Sequence, residues 1–126
     1  MKIVNPTAKL GEDKACEYVK KNGFEIIERN FRKGYAEIDI IAIDYSNQKE
    51  KILVFIEVKT RRSNSFGSPL EAITHWKLKS VIKLAQFYKF IHPNLPDNMR
   101  IDAVSVSLST NSKVENIELI KNISGF

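Results

Sequence analysis

The chain has 126 residues, 43% of them hydrophobic and 28% charged, which suits one soluble domain over residues 1–126 that buries a core without disulfide staples. Its single cysteine, Cys16, excludes an intrachain disulfide and fits a reducing, cytoplasmic setting, and no apolar run approaches the roughly 20 residues needed to span a bilayer, so no membrane partner is expected. Lysine and arginine number 20 against 15 acids, a net charge of +5 that permits a polyanion such as nucleic acid as partner without requiring one.

A first helix is predicted over Lys9 to Asn22, because Ala15, Cys16 and Val19 recur at helical spacing and Asn22-Gly23 supplies a stop. Residues 24–31 read as a strand, Arg32-Lys33-Gly34 as a turn, 35–43 as a second strand and 52–60 as a third, together an antiparallel meander. A loop is expected over 61–68. Ser68-Pro69-Leu70-Glu71 has the pattern of a helix cap, and a helix is expected from there to about Ile91 with a break near Thr74. Its apolar stripe is Leu78, Val81, Ile82, Ala85 and Tyr88, with Lys79 and Lys83 on the polar side; Trp76 is expected to pack. Strands follow at 100–108 and 114–120. The order α-β-β-β-α-β-β gives an α+β fold, with helices packed on a mixed sheet.

The third strand, ILVFIEVKT, carries Glu57 and Lys59 inside an apolar run, two apart and so on one face. An unpartnered charge at core depth costs several kcal/mol or more on general grounds. The pair could neutralise itself. Asp39, flanked by Ile38, Ile40 and Ile41 in the preceding strand, can come level with Glu57 or Lys59, and two carboxylates on neighbouring strands repel unless a cation lies between them. Mg²⁺ takes one or two carboxylates, keeps several waters and accepts phosphate oxygens. A lysine beside it can orient an attacking water or stabilise charge on phosphate. Glu12 shares the buried helix face with Ala15, Cys16 and Val19; it either reaches the metal or complements the helix dipole, and both readings stay open.

An acid followed by E-x-K in the next strand is the minimal pattern of PD-(D/E)XK nucleases. GEDKACEYVKKNGFEIIERNFR, AEIDIIAID, LVFIEVKTRRSNSFGSPLEAI and MRIDAVSV together resemble the YraN-like family of small bacterial proteins, over roughly residues 8 to 108. That family is regarded as predicted endonucleases related in fold to archaeal Holliday-junction resolvases. The resemblance implies a three-layer, restriction-endonuclease-like core and a Mg²⁺-dependent DNA endonuclease, with Mn²⁺ as a substitute metal. Residue by residue it implies Asp39 and Glu57 as metal ligands, the Val58 carbonyl as a further ligand, Glu12 in support and Lys59 as the group that orients or activates water. Ala36 stands where the family usually has glycine, and Ile38 where the superfamily's name has proline. Branched DNA as substrate and a homodimer, matching the two equivalent strands of a four-way junction, follow from the same resemblance.

Around this centre, Arg61 and Arg62 are candidates for phosphate contact or ordinary loop charges, and Lys77, Lys79 and Lys83 could extend a DNA track. Phe66 is read as anchoring its own loop and Glu37 as a solvated strand-end charge. Arg100 and Asp102 could pair with neighbours. With only His75, His92 and Cys16 as soft ligands, a structural zinc site is not expected. Two other functions compete with the nuclease: a non-catalytic nucleic-acid-binding protein on the same fold, and an interaction module whose Asp39, Glu57 and Lys59 form a buried ion network.

Overall fold

Asn5 opens the first helix. Its side-chain oxygen accepts from the Thr7 and Ala8 amides, and Pro6 takes the first turn, where a missing N–H costs nothing. In this computed structural model, which describes residues 5–62 and 74–124, helix α1 therefore spans Pro6–Lys21, starting before the apolar spacing begins. It ends at Gly23, whose φ of +90° lies in the left-handed region that favours glycine.

The remaining elements are β1 (Phe24–Lys33), β2 (Ala36–Asp44), β3 (Ile52–Arg62), α2 (His75–Ile91), β4 (Met99–Leu108) and β5 (Val114–Ile120). They form one five-stranded sheet in sequence order. β1, β2 and β3 run antiparallel, β3 and β4 parallel, and β4 and β5 antiparallel. The parallel pair needs a crossover connection, and α2 lies in it. This is the expected α+β order. The strand expected to end at Thr60 continues through Arg61 and Arg62, because these pair with Ser107 and Leu108 of β4. Thr74 caps α2 by accepting from the Lys77 amide. The caps expected at 68–71 and the loop with Phe66 lie outside the described residues.

The sheet has an apolar face on each side. On one, Ala15, Cys16 and Val19 of α1 pack on Ile40, Val54, Ile56 and Val104. On the other, Val81, Leu84, Ala85 and Tyr88 of α2 pack on Ile41, Leu53, Phe55 and Ile101. Each fully buried Val, Leu, Ile or Phe among them contributes about 1.5–3 kcal/mol. Trp76 does not pack as expected. It is 79% exposed, because it shares its helix face with Ser80 and Lys83 and not with the buried stripe.

Candidate active site

Alternation along β3 sets the face of each charge. Val54 and Ile56 point to the α1 side, Leu53 and Phe55 to the α2 side, so Glu57 and Lys59 share the α2 side. In β2 the alternation breaks: Ile38 and Ile41, three apart, lie in the same core. Asp39 stands in the break. The β2–β3 register runs from Asp44↔Ile52 to Ile40↔Ile56 and stops there, immediately before Asp39 and Glu57. There the Asp39 carboxylate accepts from the Val58 amide at 2.8 Å, so a side chain bonds to β3 where the ladder ends.

Glu57 is 1% exposed. Lys77 Nζ of α2 comes to 3.1 Å from its Oε2, yet neither Glu57 oxygen has a hydrogen bond among the described residues. The contact is a charge pair, not a directed bond. Burial and then the Asp39 charge push the Glu57 carboxyl up to about 7, with Lys77 pulling the other way. Burial pushes half-buried Asp39 up to about 6, helped by the Glu12 and Glu37 charges and opposed by the Val58 amide and Lys77. Burial and the Lys77 charge lower the Lys59 ammonium. For Lys77 burial works downward, but the Glu57 and Asp39 charges win and its pKa rises. Asp39, Glu57, Lys59 and Lys77 thus act on one another's charge.

A cavity of about 250 Å³ opens beside them between the start of α1 and the end of β3, lined by Glu12, Asp39, Val58, Lys59 and Thr60 among others. Its width is set by Gly11. A methyl there would lie 2.7 Å from Thr60 Cβ and overlap Thr60 Oγ1, so only glycine lets helix and strand approach this closely. Glu12 follows Gly11 and is held firmly. Arg29 Nε and Nη2 donate to its Oε1 at 3.1 and 3.0 Å, and Asn30 Nδ2 at 3.0 Å. Asn30 has φ of 55°, a left-handed conformation that asparagine tolerates better than most residues, and β1 carries a register shift just before it.

The sequence-predicted residues divide accordingly. Asp39, Glu57 and Lys59 come together, with the Val58 amide bound to Asp39, and Glu12 lines the same cavity. Among the described residues no three acidic, histidine or cysteine side chains converge as a ready metal cage. Lys77, expected on a DNA track, has its ammonium on Glu57. Arg62 bonds within the fold, to the Ser109 carbonyl at 2.8 Å, Ser112 Oγ at 3.5 Å and Thr7 Oγ1 at 3.3 Å. Arg61 lies in β3 opposite Ser107, Lys79 is exposed on α2, and Glu37 pairs with Arg32 at 2.9 Å. Sequence reasoning missed Arg29, Asn30 and the Lys77–Glu57 pair. The stretch ERN hints at the first two; nothing local signals the third.

Comparison with known proteins adds the lineage. A UPF0102 protein of Caldicellulosiruptor saccharolyticus is 43% identical over 114 residues, covering 89% of this chain and 91% of its own length. One from Clostridium botulinum is 44% identical over 116 residues, covering 90% and 89%. Among solved structures, that of Pyrococcus furiosus SfsA in complex with Ca²⁺ overlaps 90% of this chain and 60% of that chain, at 17% identity and a TM-score of 0.30, too low a likeness to inform fold or function. No helix among the described residues is long and apolar enough to cross a membrane. The model of "Uncharacterised protein family UPF0102" matches residues 11–106, which contain Glu12, Asp39, Glu57 and Lys59, and the chain belongs to that family.

Proposed function

We propose that the protein is a divalent-metal-dependent DNA endonuclease that hydrolyses phosphodiester bonds. One observation carries the reading: Glu57 is a fully buried carboxylate whose oxygens accept no hydrogen bond among the described residues, and half-buried Asp39 raises its pKa further. Two acids so arranged suit a small hard cation, which would supply the charge that the described residues supply only in part through Lys77. Asp39 and Glu57 would hold Mg²⁺ or Mn²⁺, with the Val58 carbonyl as a further ligand and Glu12 in support. When bound, the metal supplies Lewis-acid polarisation of the phosphate and stabilises charge on the leaving oxygen.

The chain's own groups do the rest. Lys59, its ammonium pKa lowered, lines the cavity and can orient a water for in-line attack on phosphorus or steady a phosphate oxygen. Lys77 favours the ionised form of Glu57, against the burial and the Asp39 charge that raise its pKa. Arg29 and Asn30 fix Glu12, so that its carboxylate can hold a water at the cavity wall. Water oxygen bonds to phosphorus as the bond to the 3′ oxygen breaks, leaving a 5′ phosphate and a 3′ hydroxyl. By the family resemblance the substrate is cytoplasmic DNA, branched forms included, and a homodimer would cut both equivalent strands of a junction.

The test is a panel of duplex, flap, fork and four-way-junction DNA with Mg²⁺ or Mn²⁺. Wild type should cut at least one substrate and stop in chelator. Asp39→Asn and Lys59→Ala should each lose at least about a hundredfold in rate while keeping DNA affinity. Salt-dependent binding with no cleavage under either metal would replace the nuclease by a plain nucleic-acid-binding protein.

A further inference from the structure

The outward face of α2 has no part in the chemistry above, yet its composition is selective. The helix carries Lys77, Lys79, Lys83 and Lys89 and no acid in its 17 residues. Trp76, the chain's single tryptophan, stands 79% exposed at its start. An exposed tryptophan offers a large, rigid aromatic face with a polar N–H, a combination suited to a wet interface. Around it runs a groove of about 520 Å³ lined by Trp76, Lys79, Ser80, Ile82, Lys83 and Gln86. Lys79 Nζ lies 5.9 Å from the centre of the indole ring, so aromatic surface and positive charge are interleaved. The next residue along, Lys77, reaches Glu57 in the candidate active site.

We propose that this face is a stacking platform for unpaired nucleic-acid bases, with the Trp76 indole taking a base and Lys79 and Lys83 taking the flanking phosphates. Charge decides the occupant. A second copy would bring the same acid-free lysine face into contact with itself, whereas a single strand brings a phosphate with every base. Every base has a π face, so the platform is blind to sequence but not to pairing: in a continuous duplex the faces are already stacked on their neighbours. Trp76 and Lys77 are neighbours in the first turn of α2, so the platform lies at the end of the helix whose Lys77 pairs with Glu57. The inference rests on the nucleic-acid reading above and sharpens it: the preferred substrate has unpaired bases next to the scissile bond.

Since Trp76 is the sole tryptophan, its fluorescence reports the event directly. The full chain is titrated in EDTA with a 12-mer of thymidine and, separately, with a blunt duplex of the same length. Quenching by the single strand is expected, weakening steeply with salt and much smaller with duplex. By a separate anisotropy assay, Trp76→Ala should bind the single strand about tenfold or more weaker, with duplex binding nearly unchanged, while Trp76→Phe retains most of the affinity. Equal quenching by both DNAs, or wild-type single-strand affinity in Trp76→Ala, overturns the proposal. So does an emission shift with protein concentration in the absence of DNA, which would mean that a second copy covers the face. Quenching that persists when no Mn²⁺-dependent cleavage is found would sink the nuclease alone and leave the platform standing.

Discussion

The two ends of the central strands bury acids in opposite ways. At one end, Asp44 and Asp102 are buried, and every charge has a directed partner. Arg100 donates to Asp102 at 2.8 and 2.9 Å and to Asp44 at 2.9 Å; Ser46 bonds Asp44 through both its amide and its hydroxyl, and the Asn122 amide bonds Asp102. Burial works to raise the Asp44 carboxyl, but Ser46 and Arg100 hold it below its ordinary range. At the other end, Asp39 and Glu57 are pushed well above theirs, and among the described residues Glu57 has the undirected Lys77 charge in place of hydrogen bonds. The same fold can satisfy a buried acid completely, so an incompletely satisfied one is a feature of the site and not of the scaffold.

That contrast can be broken from either end. Removing the guanidinium of the closed cluster should have the largest effect: Arg100→Ala takes from two buried carboxylates the positive charge they share and should cost about 3–5 kcal/mol in urea denaturation. Closing the gap beneath α1 comes next. Gly11→Ala touches no charge but overpacks Thr60, and should cost about 1–3 kcal/mol despite the better helix propensity of alanine. At the open cluster the sign reverses. Glu57→Gln should leave metal-free stability at pH 8 unchanged or raise it by about 1–2 kcal/mol, because it removes an unbonded buried charge. On the metal reading, Mn²⁺ should raise the Tm of the wild type and leave that of Glu57→Gln unmoved.

The remaining effect is one of pH. Glu57 in the fold titrates near 7, above its ordinary value of 4.5, so between these values the folded chain binds more protons than the unfolded one. Wild-type stability relative to Glu57→Gln is therefore highest below about pH 4.5, falls as pH rises and is flat above about 7. Denaturation midpoints of both chains in EDTA at pH 5 and pH 8 measure it. A difference that grows with pH would mean that the Lys77 charge outweighs burial.

Much of this was legible before any coordinates. The apolar runs of β2, β3 and β4 set the strands, and Asp39 and Glu57 stood out as charges where the pattern demanded none. Spacing also held the truth about Trp76, since Ser80 and Lys83 lie four and seven residues on; residue type overrode it. Other features were not legible because they belong to no local period. Asn30 reaches Glu12 from a left-handed backbone conformation, and that conformation has no periodic signature in the sequence. Arg61 and Arg62 look like loop residues until β4 is there to pair with them. Lys77 meets Glu57 only because a crossover returns α2 over β3.

The absent methyl at Gly11 has a mechanical consequence. With the Thr60 side chain seated directly against the helix backbone, the spacing of α1 and β3 at this wall is fixed by a contact that leaves no room for a methyl. Any larger residue at position 11 would have to push the helix or the strand outward, and the cavity between them would change shape with it.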